Sequence, residues 1–188
     1  MLNLDEQDRQ ELLLIARNTL QTYLSTGKFT EVRPARPALL QQAGAFVSLH
    51  EGDELRGCIG QIVPDRELYK IVQSCALSAA LDDPRFNPVT ADQVPLLTIE
   101  ISVLTPMVRV TRVEEIEVGR HGLYITVGNR RGLLLPQVAT QYGWDRDAFL
   151  AQTCRKAGLP ENAWRNPSAS IHAFEAEVFS ESAARQSA

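Results

Sequence analysis

The stretch AFVSLHEGDELRGCIG, residues 45–60, is predicted to form a β-hairpin. On both sides of its central Glu-Gly-Asp, apolar residues alternate with other residues, which is the pattern of two strands that each bury one face. A three-residue turn over 51–53 would place Leu49 opposite Leu55 on the buried face, whereas a two-residue turn would place Leu49 opposite Arg56. The sequence therefore predicts the three-residue turn.

The second strand of this hairpin carries the residues that best suit chemistry. Arg56 and Cys58 share its other face, about 6 to 7 Å apart along the backbone. A guanidinium beside a thiol favours the thiolate and can lower its pKa from about 8.5. Gly57 and Gly60 remove side chains where a ligand or another backbone can approach. We interpret these four residues as the floor of a ligand site with Cys58 as nucleophile. In the alternative interpretation, Cys58 is a small buried hydrophobe and Arg56 is a surface charge.

Outside the hairpin, hydrophobic periodicity predicts a mixture of helices and strands. Apolar residues at three-and-four spacing predict helices from Asn3 to Gly27, from Asp65 to Asp82 and from Asp145 to Ala157. Alternation predicts strands over residues 98–104, 123–127 and 171–179, with the turn of a second hairpin at 128–132. Because hairpins outnumber strand–helix–strand crossovers, we predict an α+β fold with a mainly antiparallel sheet flanked by helices.

Polar residues after the second helix are candidates for ligand contacts. Asp83 and Arg85 belong to a predicted loop, where a bidentate arginine contact could hold an anionic ligand. Equally, the two side chains could only tie the loop down. Glu100, on the exposed face of its predicted strand, could hydrogen-bond a ligand, although a half-buried antiparallel sheet also needs polar residues on its wet side.

Two candidates lie later in the chain. His121 stands in a glycine-rich turn before a predicted strand, where its imidazole could act as a general acid or base or could simply face solvent. Gln137 is either an amide contact to a ligand or a residue of the first turn of a helix. Cys58 and His121 form a catalytic pair only if the fold unites them, which their spacing cannot show.

Composition limits the class of protein. The chain has 188 residues, is 44% hydrophobic and has a net charge of −4, which fits a single domain and argues against a phosphate-backbone binder. No apolar run reaches the roughly 20 residues of a membrane helix, and the polar N-terminus does not resemble a secretory signal. The three cysteines form no C-x-x-C pair, so we expect reduced thiols in the cytoplasm and no metal site.

Several segments of the chain carry a family signature, and they occur in the family's order. These segments are Leu55–Gly60, Asp83–Phe86, Glu100–Pro106, His121–Leu123, Gly132–Ala139 and Thr153–Leu159. With them the sequence resembles the AMME chromosomal-region candidate-gene family, whose prokaryotic members are called AmmeMemoRadiSam system protein A. The likeness runs from the first helix to the final strand.

The resemblance implies a two-lobed α/β domain over residues 1–188, with an antiparallel sheet, a smaller second lobe and a cleft bordered by the cysteine segment. It supplies no reaction and no cofactor. The family's composite name implies a shared pathway with Memo-like and radical S-adenosylmethionine proteins. Any iron–sulfur chemistry would belong to the partner, because this chain lacks a cluster-type cysteine motif.

Two functional hypotheses follow. The first is a cytoplasmic domain that binds a polar or anionic small molecule and uses a Cys58 thiolate, with Arg56 stabilising its charge and His121 moving a proton. In this hypothesis Asp83 and Arg85 position the ligand. The second is a non-enzymatic adaptor that binds a Memo-like or radical S-adenosylmethionine protein.

Overall fold

The computed structural model describes residues 2–29 and 31–181 and divides into two compact units. Of these residues, the first unit comprises 2–29, 31–104 and 177–181, and the second comprises 105–176. The helices are α1 (Glu6–Thr26), α2 (Leu68–Leu81), α3 (Pro136–Gln141) and α4 (Arg146–Lys156). The strands are β1 (Ala45–Glu51), β2 (Glu54–Gln61), β3 (Leu97–Leu104), β4 (Val108–Arg109), β5 (Gly122–Val127), β6 (Arg130–Leu134), β7 (Ser170–Phe174) and β8 (Ala176–Ser180). Short 3-10 helices span Pro37–Leu40, Val94–Leu96, Val113–Glu115 and Ala163–Arg165.

The first unit is a four-stranded sheet in the order β2-β1-β3-β8, with α1 and α2 packed on one face. Residues of β1 and β3 that point towards the helices are buried, among them Val47, Leu49 and Ile101 at 0% exposure. The predicted helices and the antiparallel pairing are confirmed. The predicted cap of α2 is wrong, because Glu67 stands at the N-cap and Asp65 binds Gln61 and Arg66 instead.

The predicted register of the β1–β2 hairpin is wrong by two residues. Glu51 pairs with Glu54 across a two-residue turn, and Leu49 pairs with Gly57, not with Leu55. A β-bulge beside Leu49 allows the two-residue turn without moving Leu49 off the buried face, because Arg56 is an extra residue without a partner on β1. The φ of +59° at Gly52 is the left-handed value that the first position of a type II′ turn requires.

Gly57 brings β2 against α2. A Cβ built on Gly57 would lie 1.9 Å from the carbonyl oxygen of Ala79. Of the two alternatives given for this glycine, a ligand or another backbone, it is the backbone of the helix that approaches. At Gly60 a Cβ would lie 2.2 Å from the ring of Phe46, so this glycine too is covered from within the protein.

The second unit repeats the layered plan on a smaller scale. Its sheet has the order β4-β7-β5-β6, and α4 packs against β5 and β6 around a separate core that includes Phe149, Leu150 and Ile125. The predicted cap of α4 is confirmed, since Asp145 Oδ1 accepts a hydrogen bond from Ala148 N at 2.8 Å. The strand pairs β1–β2, β1–β3, β4–β7, β5–β6 and β5–β7 are all antiparallel, so the predicted α+β class is confirmed.

None of the helices described within residues 2–29 and 31–181 combines the length and the apolar character needed to cross a membrane.

Candidate functional site

Cys58 lies on β2, an edge strand of the first sheet, and is half-buried. Its partner on β1 is Ser48, and the partner of Ser48 on β3 is Glu100. Directly opposed residues in a sheet share a face, so these three side chains form a row across the sheet on the side away from α1 and α2. Ser48 Oγ donates a hydrogen bond to Cys58 Sγ at 3.2 Å.

The loop after α2 closes the open edge of β2 at the same position. Cys58 N–H donates to Asp83 Oδ2 at 2.9 Å, which satisfies a backbone group that an edge strand would leave unpaired. Asp83 is 5% exposed and is held by Arg85, whose Nε and Nη2 lie 2.9 and 2.7 Å from its two carboxylate oxygens. Asp83 and Arg85 therefore do tie the loop down, as one of our two interpretations required.

Arg85 keeps part of its binding capacity. Its side chain is 53% exposed, and its guanidinium lies 5.2 Å from the centre of the Phe86 ring. Nε and Nη2 serve Asp83, while Nη1 has no hydrogen-bond partner within the described part of the chain. Nη1 can therefore still donate a hydrogen bond to an oxygen atom of a ligand.

The charge beside the thiol comes from Arg85 and not, as predicted, from Arg56. Nε of Arg56 lies 3.4 Å from a carboxylate oxygen of Glu51, at the turn end of the hairpin. The physical reason is the bulge, which takes Arg56 out of the regular alternation with Cys58.

The expected lowering of the Cys58 pKa is also wrong in direction. Burial raises the pKa of the thiol above its ordinary value, and the carboxylates of Asp83 and Glu100 add to this rise. The hydrogen bond from Ser48 and the charge of Arg85 oppose it without reversing it. The thiol is thus protonated near neutral pH unless a bound molecule changes its surroundings.

Asp83 has the opposite perturbation. The hydrogen bonds from the Arg85 side chain hold the pKa of its carboxyl group well below the usual range, against the effect of burial. The backbone N–H groups of Cys58 and Arg85 lower this pKa further. The carboxylate is therefore ionised at every pH at which the protein is expected to work.

His121 and Gln137 belong to the second unit. Nδ1 of His121 accepts a hydrogen bond from Glu117 N at 3.0 Å, and the side chain lines a pocket beside β4. Gln137 is the second residue of α3, and its carbonyl oxygen accepts a hydrogen bond from the hydroxyl of Thr140 at 2.8 Å. The pairing of Cys58 with His121 stays a prediction.

Sequence reasoning missed two residues of the polar face of the first sheet. Ser48 and His50 lie on β1 and point to the same side as Cys58. Nε2 of His50 is buried and has no hydrogen-bond partner within residues 2–29 and 31–181. The alternation of polar residues with Val47 and Leu49 was the available signal, but only the correct register brings Ser48 opposite Cys58.

Candidate metal ligands were compared across the residues that the structure describes. Within the described residues, no three side chains of His, Cys, Asp or Glu stand close enough together to hold a metal ion. Cys75 and Cys154 are 4% and 0% exposed and pack in the cores of their units, as their helical positions predicted.

The fold and the site define an α+β protein of two units with a half-buried thiol on an edge strand. The AMMECR1 family model matches residues 13–179, and the chain belongs to this family. Protein MK0488 of Methanopyrus kandleri is 42% identical over 184 residues, covering 93% of this chain and 89% of that protein. Protein PF1979 of Pyrococcus furiosus is 41% identical, covering 90% and 86%.

A solved structure has the same fold. The crystal structure of uncharacterized protein PH0010 from Pyrococcus horikoshii superposes with a TM-score of 0.87 at 40% sequence identity, covering 91% of this chain and 90% of that one. The predicted family resemblance is thereby confirmed.

Proposed function

We propose that the first unit binds a polar small molecule beside Cys58 and that the thiol is the group that reacts with it. One observation carries this proposal: Cys58 Sγ is half-buried and accepts a hydrogen bond from Ser48. It also lies in the field of Arg85, whose Nη1 remains free to bind a ligand. Such a site can hold a polar group on Arg85 while an electrophilic carbon meets the sulfur.

The reaction step is attack by sulfur on that carbon. The thiol gives its proton to solvent water, and the thiolate, stabilised by the hydrogen bond that the Ser48 hydroxyl donates, adds to the carbon of a carbonyl group. As the S–C bond forms, the π bond of the carbonyl breaks, and its electron pair goes to the oxygen, which takes up a proton from solvent. Because burial raises the pKa of Cys58 in the free protein, the step depends on the bound molecule to favour the ionised form. The proposal does not require His121, which belongs to the second unit.

The test is the pH dependence of iodoacetamide alkylation, followed for each cysteine by mass spectrometry on the folded protein. Cys58 is expected to be labelled without denaturant. Cys75 and Cys154 are internal controls, because both are buried and burial raises the pKa of Cys75 to about 11. Failure to label Cys58 in the folded protein would refute the proposal.

Two arginine variants sharpen this test. Arg85→Gln removes the cation that lowers the pKa of Cys58, so alkylation should require a higher pH than in the parent protein. Arg56→Gln is the matched control, since Arg56 pairs with Glu51, and should leave the profile unchanged. The reverse outcome, a shift with Arg56→Gln alone, would show that the wrong cation has been assigned.

A raised pKa is also what a thiol without a chemical role would have, so we keep a second candidate function. In this version the protein is an adaptor for a Memo-like or radical S-adenosylmethionine protein. Cys58→Ser would then leave capture of such a partner intact in a pull-down. Loss of an activity with retention of capture would instead support the reactive thiol.

A further inference from the structure

We infer that the molecule that reacts at Cys58 is a primary amine that also carries the electrophilic carbonyl group, and that Glu100 binds its ammonium group. This inference rests on the proposed function of Cys58 and adds the class of substrate to it. The observation behind it is the order of polar groups across the first sheet.

That order follows from the strand register. Cys58 on the edge strand β2 pairs with Ser48 on β1, and Ser48 pairs with Glu100 on β3. Directly opposed residues point to the same face of a sheet, so the three side chains lie in one row. Neighbouring strands are about 4.8 Å apart, which separates the backbones of Cys58 and Glu100 by about 10 Å.

The two ends of this row carry opposite charges. At the open edge of β2, Asp83 accepts the Cys58 N–H and holds Arg85, whose Nη1 stays free to donate. The carboxylate of Glu100 stands at the other end. A molecule bound along the row is therefore oriented, with its carbonyl oxygen towards Arg85 and a positive group towards Glu100.

Glu100 has no partner of its own in the part of the chain that the structure describes. Its side chain is half-buried and forms no hydrogen bond or ion pair there. The one hydroxyl proton of Ser48 is donated to Cys58 Sγ at 3.2 Å. His50, the next residue on this face of β1, does not bind Glu100, and its Nε2 is buried without a partner within residues 2–29 and 31–181. A half-buried carboxylate without a partner has lost hydration, and a ligand cation compensates for that loss.

The cation that fits this position is an ammonium group. Its three N–H donors can bond to the carboxylate of Glu100 and to the oxygen of Ser48 together, because that oxygen keeps lone pairs free to accept. A metal ion is a poorer match, since no three side chains of His, Cys, Asp or Glu form a metal-binding group among the described residues.

An ammonium group in this position also activates the thiol. Burial, Asp83 and Glu100 raise the pKa of Cys58, whereas the hydrogen bond from Ser48 and the charge of Arg85 lower it. A bound ammonium neutralises Glu100 and adds a positive charge near the sulfur, and both changes lower the pKa of the thiol. The free protein thus keeps the thiol protonated, and a substrate with an amine ionises it on binding.

The test uses two methanethiosulfonate reagents of the same length. The aminoethyl reagent carries an ammonium group, and the hydroxyethyl reagent is neutral. With each reagent the thiolate attacks the sulfur next to the ethyl chain, a disulfide forms with Cys58, and methanesulfinate leaves. The rates at Cys58 are measured near neutral pH by mass spectrometry of the folded protein, and each is divided by the rate at Cys58 in the urea-unfolded chain.

The measured quantity is the ratio of the cationic rate to the neutral rate. The ratio should exceed one in the parent protein and fall about fivefold in Glu100→Gln, the effect of a unit charge about 4 Å away in water. The matched control is Glu54→Gln, an exposed residue at the start of β2 that carries the same charge, and it should leave the ratio unchanged. The neutral reagent alone should react faster with Glu100→Gln than with the parent protein, because this variant loses a charge that raises the pKa of Cys58.

The outcomes separate this inference from the proposed function. Labelling of Cys58 with equal normalised rates for the two reagents would overturn the inference and leave the reactive thiol standing. An unchanged ratio in Glu100→Gln, or an equal fall in Glu54→Gln, would overturn it in the same way. Failure of both reagents to label Cys58 in the folded protein would refute the proposed function and this inference with it.

Discussion

Asp83→Asn is expected to destabilise the first unit by about 3 kcal/mol. The carboxylate accepts hydrogen bonds from Cys58 N, from Arg85 N and from Arg85 Nε and Nη2, at distances from 2.7 to 3.2 Å. Asparagine keeps the shape but turns one oxygen into a donor, which must then face another donor. A charge-assisted bond is worth about 1.5–3 kcal/mol, and leaving a donor unpaired adds to the loss. The expected loss of stability lies at the low end of the range for breaking a buried ion pair, because Arg85 is half exposed.

Urea unfolding at about pH 7 measures this loss. Far-UV circular dichroism follows mainly the first unit, because α1 and α2 hold 21 and 14 residues whereas α3 and α4 hold 6 and 11. Both tryptophans belong to the second unit and report on it separately. The matched control is Asp82→Asn, an exposed neighbour, which should change stability by no more than about 0.5 kcal/mol.

The pH dependence separates charge from shape. The folded state holds the pKa of Asp83 below its unfolded value of 3.8. Its stabilising effect is therefore complete above the unfolded pKa and is lost as the pH falls towards the folded one. The difference between the parent protein and Asp83→Asn should be constant from about pH 7 to 5 and should shrink below about pH 4. A difference that stays the same under acid conditions would refute the reasoning, as would equal effects of Asp83→Asn and Asp82→Asn.

Substitutions at three further positions test the packing and a helix cap. Gly57→Ala should destabilise the first unit by about 3 kcal/mol in urea unfolding, because the new Cβ meets the rigid carbonyl of Ala79; a cost near zero would contradict the observed approach. Gly132→Ala should cost the second unit about as much by tryptophan fluorescence, since its Cβ would lie 2.5 Å from the backbone nitrogen of Ala157. Asp145→Ala should cost about 1 kcal/mol as a lost helix cap, and Asp145→Asn should restore most of it.

Helices and strands with a strong periodicity were predictable from the sequence. The stripes of α1, α2 and α4 and the alternation of β3 depend on local residue order, and each is found close to its predicted range. The hairpin turn was not predictable in the same way. A bulge changes the count of residues on one strand without changing the hydrophobic pattern, so two registers explain residues 45–60 equally well.

The candidate site was only half predictable, for a different reason. Asp83 and Arg85 were identified as a ligand-holding pair, but their contact with Cys58 spans 25 positions and depends on where α2 delivers the loop. Arg56 was the nearer cation in sequence, and proximity along the chain favoured it. Gly57 also needs the position of α2, because only a packed helix shows that the glycine admits a backbone instead of a ligand.

The charges around Cys58 constrain which molecule can react there. Asp83 and Glu100 oppose ionisation of the thiol, whereas the hydrogen bond from Ser48 and the charge of Arg85 favour it. An anionic ligand bound to Nη1 of Arg85 would neutralise the charge of the guanidinium and keep the sulfur protonated. Such a ligand therefore fits a binding protein better than an enzyme. A neutral polar electrophile would leave the charge of Arg85 effective at the sulfur. The faster alkylation of Cys58 by neutral iodoacetamide than by anionic iodoacetate would support the reactive version, and the reverse order would argue for binding alone.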